Sequence, residues 1–301
     1  SEYLQINSCI ASLALSIQLH LDRCFSIKPN VVLLLTKNWP TMNATTSFLA
    51  LNFNLKSEYT RRLWKSRFRL PIKVFNTKLK AWKFSALNQG MMFRDRYEVQ
   101  ELELALAFLK SNDTVLELGS GIGFLTNELA RLAHKGFVHS FEANPKMQII
   151  ANDTLRLNRT KNAKIYSGVL GETKGKTAFY VHDDFEMSSL IRGSSSNSIE
   201  VSVTPIGEIL RTINPSAIVV DIEGGEYELL QSPIILLTES VRVFIIEFHP
   251  VENLADCLTQ LGAFFDVYRP SISLRELTRE LKEGPVSIVA TKASSETLGH
   301  L

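Results

Sequence analysis

An acid followed by three alternating glycines forms the most chemically informative segment of the chain. A short apolar run contains Glu117 and leads into Gly119, Gly121 and Gly123. Glycine tolerates positive φ and carries no Cβ, so such a turn lets main-chain N–H groups approach a ligand closely. A dinucleotide fingerprint, G-x-G-x-x-G, would need its third glycine where Phe124 stands. The acid before the loop also suits a cationic ligand group better than a pyrophosphate.

Glu142 closes the next apolar run, at a point where a second strand would end. A carboxylate there is well placed to accept hydrogen bonds from both ribose hydroxyls of an adenosine. Dehydrogenases use an acid similarly, and the helix dipole also favours an acid before a helix. Glu142 therefore predicts a nucleoside ligand without separating these enzyme classes.

Three carboxylates, Asp221, Glu223 and Glu226, lie within six residues at the end of a later apolar run. On one turn they would repel each other unless they meet cations, protons or solvent. Asp221 closes the strand, which favours a polar ligand contact over simple solvation, whereas Glu226 could simply cap the next helix. His249 ends the following apolar run and would face the same rim, either as a functional or as a structural histidine.

Segments typical of strands and helices alternate from Glu98 onwards. The predicted strands are Thr114–Leu118, Phe137–Glu142, Ala163–Ser167, Thr177–Val181, Glu200–Thr204, Ala217–Ile222, Val241–Phe248, Phe264–Tyr268 and Val286–Thr291. The predicted helices are Glu98–Lys110, Phe124–His134, Lys146–Asn158, Pro205–Arg211, Glu226–Leu237 and Asn253–Leu261. This alternation predicts an α/β fold with a largely parallel, doubly wound sheet covered on both faces. Ligands gather at the carboxyl ends of the strands in such a sheet, where the polar residues described above stand.

The order and spacing of these motifs resemble FkbM-type class I S-adenosylmethionine-dependent methyltransferases. The resemblance covers roughly residues 94–292 and is carried by Val115–Phe124, Phe141–Pro145, Asp221–Glu226 and Glu247–Pro250, with Met92–Glu98 as a similar lead-in. Asp221–Glu226 is its most specific element. The resemblance implies a Rossmann-like, mostly parallel seven-stranded sheet and O-methylation of a hydroxyl on a sugar, polyketide or other secondary metabolite.

The resemblance also implies roles for individual residues. The expected cofactor-binding residues are Glu117, Gly119, Ser120, Gly121, Gly123, Glu142, Ala143, Asn144, Gly168, Val169 and Asp221. The glycine loop would line the methionine moiety, Glu142 would hold the ribose, and Gly168 and Val169 would flank the adenine. Glu117 would bind the ammonium group or orient the loop.

A general base would lower the cost of deprotonating the acceptor hydroxyl. His249 is the first candidate for this base, with Asp221 or Glu223 second. In a metal-dependent alternative, Asp221, Glu223, Glu247 and His249 would hold Mg²⁺ or Mn²⁺ and lower the pKa of an acceptor hydroxyl. We expect S-adenosylmethionine as the cofactor and no divalent metal.

Composition places few restrictions on the partners of the chain. A net charge of +2 over 301 residues implies no nucleic-acid partner, although residues 56–83 hold ten bases against one acid. Three scattered cysteines favour a reducing compartment, and charged residues interrupt the N-terminal apolar runs, so we expect a cytoplasmic protein without a transmembrane segment. The basic run would decorate the wet face of a small sheet or bind an acidic partner, phosphate or membrane headgroup.

The sequence predicts three regions. Residues 1–60 would form a helical appendage that offers a cap or a homodimer contact, and residues 61–95 a small, basic, β-rich segment with strands at Arg67–Leu70 and Ile72–Phe75. Residues 96–301 would form the methyltransferase domain, with the loop Ser188–Ser198 over the site of a small hydroxylated acceptor.

Two other functions stay open. One is a non-catalytic cofactor-binding scaffold or partner subunit that uses the basic segment as its partner surface. The other is an NAD(P)-dependent dehydrogenase, which the position of Gly123 and the Asp221 motif disfavour.

Overall fold

The computed structural model describes residues 58–181, 197–223, 225–232, 238–249, 254–268 and 285–292. The chain divides into two compact units, Ser1–Arg61 and Arg62–Leu301, and nearly all described residues belong to the second. The predicted appendage of residues 1–60, with its dimer contact, therefore lies almost wholly outside the described residues. So does most of the predicted Ser188–Ser198 loop. Among the described helices, none combines the length and apolar character needed to cross a bilayer.

The second unit alternates strands and helices along the chain. The strands are β1 Ile72–Val74, β2 Thr77–Leu79, β3 Thr114–Leu118, β4 Phe137–Glu142, β5 Ala163–Ser167, β6 Val169–Gly171, β7 Gly175–Tyr180, β8 Ser198–Pro205, β9 Ala217–Val220, β10 Val243–Phe248, β11 Asp266–Tyr268 and β12 Val286–Thr291. The helices are α1 Glu58–Arg67, α2 Ala86–Phe93, α3 Val99–Phe108, α4 Phe124–Leu132, α5 Pro145–Asn158, α6 Ile206–Ile213, α7 Glu226–Gln231 and α8 Leu254–Gly262, with a 3₁₀ helix at Ala81–Lys83.

Seven strands form one sheet in the order β11-β12-β10-β9-β3-β4-β5. Neighbouring strands from β10 to β5 are parallel, whereas β12 runs antiparallel to both β10 and β11. The predicted α/β fold with a mostly parallel seven-stranded sheet is therefore confirmed. The chain winds outwards from β3 through β4 and β5, and then returns to place β9 on the other side of β3. Such a switch of direction opens a crevice at the carboxyl ends of β3 and β9.

The core below this crevice is densely apolar. All four residues of β9 are buried, and the two phenylalanines of β10, Phe244 and Phe248, are fully enclosed. Phe244 meets Phe265 edge-on, with ring centroids 5.0 Å apart. Truncating such a side chain to alanine costs about 3–5 kcal/mol. This packing fixes the positions of the residues that directly follow β9 and β10.

Strands β3, β4, β5 and β12 have the predicted bounds, and most other predicted ends lie one or two residues from the observed ones. Strand β9, for example, ends at Val220, two residues early. The N–H of Asp221 still donates to the carbonyl of Leu118 at 2.9 Å, and the chain then turns, with Glu223 at φ 55°. The described part of α7 ends at Gln231, before the predicted end at Leu237.

The segment of residues 61–95 is predominantly helical, so its predicted β-rich character is wrong. The strand predicted over Arg67–Leu70 is absent, because α1 extends to Arg67 and ends in a turn. Arg69 adopts φ 53°, and the N–H of Leu70 donates to the carbonyl of Lys65 at 2.8 Å, which closes the last turn. Alternating residues imitate a strand here, but lysine and arginine are also good helix formers in a last turn.

A short hairpin follows this helix. Strand β1 pairs antiparallel with β2. Strand β1 lies within the predicted strand Ile72–Phe75, and β2 follows it. A separate three-stranded sheet, in the order β6-β8-β7, lies beyond β5 in the chain and contains the predicted added strands.

Candidate functional site

The glycine loop between β3 and α4 has an unusual backbone at all three of its glycines. Gly119, Gly121 and Gly123 adopt φ of 89°, 47° and 76°. A Cβ on Gly119 would lie 1.7 Å from the carbonyl oxygen of Asp221, and one on Gly123 would lie 2.9 Å from Ala151 Cα. Main chain packs so closely against these two positions that only glycine fits at either of them. At Gly121 the Cβ position would make only an ordinary van der Waals contact, with Glu98 Oε1 at 3.7 Å, so no main chain packs against this glycine.

Glu117 lies beneath this loop and is almost completely buried, with 1% of its surface exposed. The Thr126 hydroxyl donates to one carboxylate oxygen at 2.6 Å, which joins β3 to α4. Burial raises the pKa of Glu117 to about 7, although nearby hydroxyl groups oppose that rise. This placement fits a residue that orients the loop.

Glu142 ties the loop to the end of β4. One carboxylate oxygen accepts the N–H of Gly121 at 2.9 Å, and the other accepts the N–H of Asn144 at 2.8 Å. Burial raises the pKa of Glu142 to about 7, while these main-chain hydrogen bonds lower it. The predicted ribose-binding acid thus lies directly against the loop.

The remaining residues predicted for the cofactor adjoin Glu142. The N–H of Gly168 donates to the Glu142 carbonyl at 2.9 Å, and Val169 begins β6 directly after it. The side chain of Asn144 accepts the N–H of Lys146 at 3.0 Å and so caps α5, which begins after Ala143 and Asn144. The predicted residues at the ends of β3, β4 and β5 therefore form one continuous rim.

Glu98 borders the same loop, and the sequence analysis did not assign it a role at the site. Its backbone has φ 47°, and its carboxylate accepts the N–H of Leu125 at 3.1 Å, which satisfies the start of α4. Burial, followed by the charges of Asp221, Glu101 and Glu117, raises the pKa of Glu98 well above its usual range. In the sequence, the one indication that Glu98 belongs to the site is its place at the end of the lead-in segment Met92–Glu98. Only the tertiary fold brings Glu98 to the loop.

The ends of β9 and β10 bring the predicted catalytic residues together around one imidazole. His249 Nδ1 lies 3.1 Å from a carboxylate oxygen of Glu226, and Nε2 lies 3.1 Å from one of Glu223. Nε2 is also 3.9 Å from Asp221 Oδ1. Glu226 is fully buried at the start of α7, so it is more than an exposed helix cap.

This cluster carries more acids than bases, and their charges shift one another. Burial lowers the pKa of His249, but the hydrogen bond to Glu226 and the charges of Glu223 and Asp221 raise it to about 9 overall. Burial raises the pKa of Asp221 to about 8, although the charge of His249 opposes that rise. Burial and the charges of Asp221 and other acids raise the pKa of Glu247 to about 11. The imidazolium is therefore the favoured form of His249 at neutral pH, and the cluster favours a cationic ligand.

Three of these residues could also approach a metal ion. Asp221, Glu247 and His249 offer ligand atoms that all lie within 4.8 Å of one another. His249 Nδ1 contacts Glu226, the kind of carboxylate partner that a metal-bound histidine also keeps, and Nε2 faces Glu223 and Asp221. Glu223 is the fourth residue of the predicted metal set. These contacts fit a protonated imidazole and equally fit a histidine whose Nε2 binds an ion, so the expectation of no divalent metal stays a prediction.

Three buried polar atoms around the loop make no hydrogen bond with any residue that the structure describes. They are Ser120 Oγ, Asn144 Nδ2 and Asp221 Oδ1. Leaving such an atom unsatisfied costs about 1–3 kcal/mol, so these atoms favour ligands that supply the missing partners. Ser120 and Asn144 can donate hydrogen bonds and Asp221 can accept one, so the set fits ligands that carry both acceptor and donor groups.

Comparison with known proteins connects this site to one family. The sequence matches the family model of the methyltransferase FkbM domain over residues 111–269. Comparison with curated proteins gives no significant match.

Solved structures of low sequence identity share parts of the fold. One is precorrin-6y C5,15-methyltransferase from Geobacter metallireducens GS-15, with 12% identity over 66% of this chain and 88% of that chain and a TM-score of 0.41. Another is M. jannaschii TYW2 in complex with AdoMet, with 13% identity over 74% of this chain and 84% of that chain and a TM-score of 0.38. A third is an rRNA methylase from Streptococcus thermophilus, with 13% identity over 65% of this chain and 95% of that chain and a TM-score of 0.39.

Proposed function

The chain belongs to the FkbM methyltransferase domain family, and from this premise we propose that it methylates a hydroxyl oxygen of a small acceptor. The acceptor class that we propose is a sugar, a polyketide or another secondary metabolite. The observation that carries the proposal is the rim at the carboxyl ends of β3, β4 and β9, where the glycine loop meets buried, unsatisfied polar atoms and an excess of acids. When bound, S-adenosylmethionine supplies an electrophilic methyl group on a positively charged sulfur.

The loop half of the rim, at the ends of β3, β4 and β5, would hold the cofactor. Ser120 and Gly121 would contact its methionine part, since the Ser120 hydroxyl is buried without a partner among the described residues and no main chain packs against Gly121. Each carboxylate oxygen has two lone pairs, so Glu142 can accept ribose hydroxyls while it keeps its main-chain partners. Gly168 and Val169 would border the adenine.

The excess of acids supports a cationic ligand at this rim. Burial raises the pKa of Glu98, Glu117, Glu142 and Asp221, which means that their ionised forms are poorly compensated. A positively charged ligand near these carboxyl groups favours their ionised forms, and the resulting carboxylates stabilise the charge of the ligand. The same field disfavours an acceptor that carries a phosphate or carboxylate near its reacting hydroxyl.

We assign the general base to Asp221 in place of His249. A base must be able to accept a proton, and the pKa of about 8 for Asp221 lies below the pKa of about 9 for His249, so Asp221 is the first of the two to lose its proton as pH rises. Asp221 Oδ1 is buried and makes no hydrogen bond with the described residues, so it is available to an acceptor hydroxyl. General-base catalysis of this kind contributes about 10²–10⁴-fold to a rate.

His249 would then be a positioning residue for Asp221. Its ring is fixed by Glu226 on Nδ1 and Glu223 on Nε2, with Asp221 3.9 Å away. The positive ring lowers the pKa of Asp221, which favours the carboxylate that a base requires. Alignment of the acceptor in a site that excludes water would supply most of the remaining rate enhancement.

The direct test is product identification with isotopically methyl-labelled S-adenosylmethionine. The full chain is incubated with matched acceptors that differ only in a hydroxyl, an amine or a methyl ether at one position. We expect label on the hydroxyl oxygen alone. Label on nitrogen or carbon would contradict O-methylation, and cofactor binding without turnover on any acceptor would favour the scaffold function.

The metal-dependent alternative has a separate test. We expect full turnover in excess EDTA, because a protonated His249 offsets part of the negative charge of the surrounding carboxylates without an ion. Loss of turnover in EDTA that Mg²⁺ or Mn²⁺ restores would instead place an ion on Asp221, Glu247 and His249.

A further inference from the structure

The basic segment identified in the sequence divides into paired and unpaired side chains. Eight bases and no acid lie between Arg62 and Lys83. Arg62 pairs with Asp95 at 2.9 Å, while Lys80 and Lys83 both pair with Asp153, at 3.2 and 3.4 Å. The other five form no ion pair with any residue in the described ranges: Lys65, Arg67, Arg69, Lys73 and Lys78. Within the part of the chain that the structure describes, no ion pair therefore offsets their positive charge.

Two large apolar side chains stand exposed among these bases. Phe68 and Leu70 are 48% and 45% exposed, and they alternate with the exposed residues Arg67 and Arg69. Phe68 already packs against Trp64, with ring centroids 4.8 Å apart. Single exposed apolar residues are ordinary on a protein surface, but two of this size within four residues, flanked by bases, are typical of an interfacial membrane contact.

The neighbouring hairpin adds a pair of like charges. Lys73 and Lys78 are directly opposite each other across β1 and β2, and both are exposed. Like charges in this position destabilise a strand pair unless an anion compensates them. The hairpin cannot easily move them apart, because Asn76 N–H donates to Glu128 at 2.9 Å and Lys78 N–H donates to Asn158 at 2.8 Å.

We propose that this basic–apolar surface binds the headgroup region of an anionic lipid bilayer. The surface consists of Arg67, Phe68, Arg69, Leu70, Lys73 and Lys78. The bases would contact the anionic headgroups, and Phe68 and Leu70 would enter the boundary with the acyl chains. The proposal is independent of the methyl-transfer site and adds a location at which the enzyme would meet its acceptor.

The observations favour a lipid surface over a nucleic acid. An aliphatic side chain such as Leu70 gains free energy in the acyl region of a bilayer, but it offers no stacking surface to a base. The Phe68 ring is partly covered by Trp64, so it is a poor platform for stacking. Both partners would show a strong dependence on salt, and the test must therefore separate them.

The test measures binding of the full chain to phosphatidylcholine vesicles with and without phosphatidylserine. We expect binding only to the anionic vesicles, weakening as salt rises. Lys73→Glu with Lys78→Glu should lower the apparent affinity about 30-fold or more, given roughly 1 kcal/mol for each base near a charged membrane. The matched control reverses two exposed lysines elsewhere, Lys135→Glu with Lys174→Glu, and should leave binding within a few-fold of the wild type.

A second variant tests the apolar part of the surface. Phe68→Ser with Leu70→Ser should weaken vesicle binding while the slope of affinity against salt stays unchanged, since no charge is removed. Thermal unfolding and S-adenosylhomocysteine binding verify that each variant is folded. The proposal is overturned if the full chain ignores anionic vesicles, if the Lys73/Lys78 variant binds them like its control, or if an oligonucleotide binds this surface and vesicles do not displace it.

Discussion

The two halves of the rim neutralise buried acids in different ways. In the loop half, Glu142 accepts hydrogen bonds from the main chain at Gly121 and Asn144. In the acidic half, at the ends of β9 and β10, Asp221, Glu223 and Glu226 share one imidazole, His249. Main-chain donors are fixed by the turn itself, whereas a side-chain cluster depends on the protonation state of each member.

This difference suggests a division of labour between the two halves. A rigid set of main-chain contacts suits binding of a constant cofactor, because it costs little reorganisation when the ligand arrives. A coupled cluster of acids around one imidazole suits proton transfer, because a small change of charge can shift a proton between its members. The two halves touch where Gly119 packs on the Asp221 carbonyl.

The largest effect is expected where the halves touch. In Gly119→Ala the added Cβ would lie 1.7 Å from the Asp221 carbonyl, at a φ of 89° that alanine rarely adopts. Strands β3 and β9 would have to separate, at a cost of about 3 kcal/mol or more. Thermal unfolding with and without S-adenosylhomocysteine should show lower stability and no stabilisation by the ligand.

Gly121→Ala is the matched comparison within the same loop. Its Cβ meets nothing closer than 3.7 Å, so only the φ of 47° opposes it, at about 1–2 kcal/mol. This variant should fold and lose less stability than Gly119→Ala. Equal losses in both variants would show that contact between the halves does not matter.

The next largest effect concerns turnover in the acidic half. Asp221→Asn keeps the size of the side chain and removes the proposed base, so kcat should fall about 10²–10⁴-fold. The dissociation constant of S-adenosylhomocysteine should change only a few-fold. Asp256→Asn, an exposed acid on α8, controls for loss of a charge. A kcat close to that of the wild type would remove Asp221 as the base.

A substitution in the loop half should change the affinity for the cofactor more than it changes kcat. Glu142→Gln replaces a charged acceptor, and a hydrogen bond to a charged group contributes about 1.5–3 kcal/mol. Calorimetry should therefore show a 10–100-fold weaker affinity for S-adenosylhomocysteine, with kcat nearly unchanged at saturating cofactor. Glu172→Gln, at an exposed position beyond β6, serves as control. A large fall in kcat at saturation would contradict the division of labour.

The pH dependence of stability tests the loop half in a second way. Burial raises the pKa of Glu117 from 4.5 to about 7, so the folded protein binds this proton more tightly than the unfolded chain. Its contribution is present below about pH 4.5 and is lost as pH rises through about 7. Glu117→Gln should therefore reduce the fall in unfolding free energy between about pH 4.5 and 7 by about 3 kcal/mol.

Denaturant unfolding across this pH range measures the effect, again with Glu172→Gln as the reference. Parallel curves for Glu117→Gln and the wild type would mean that Glu117 has an ordinary pKa. That result would contradict our inference that the Glu117 carboxylate, beneath the loop, is poorly compensated.

Sequence pattern alone predicts the sheet and most of the rim, because both depend on local order. Apolar runs mark the parallel strands, and the polar residue after each run lies at the rim, as Asp221 and His249 do. The same pattern fails at Arg67–Leu70, where alternation occurs in the last turn of a helix. It also misses Glu98, which reaches the loop only through the packing of α3 and α4.

The protonation state of His249 is a further property that spacing does not reveal. A histidine at a strand end suggests a base, but the buried Glu226 on its other nitrogen favours the imidazolium. That contact depends on how α7 packs beside β10. Charge coupling of this kind is a property of the assembled site and not of any one motif.

A crystal structure with S-adenosylhomocysteine would show where the cofactor binds. We predict the nucleoside across the ends of β3, β4 and β5, with the ribose hydroxyls on the Glu142 carboxylate and the amino-acid end beside Ser120 and Gly121. A nucleoside bound elsewhere on the protein, or crystals that take up none at saturating concentration, would contradict this prediction.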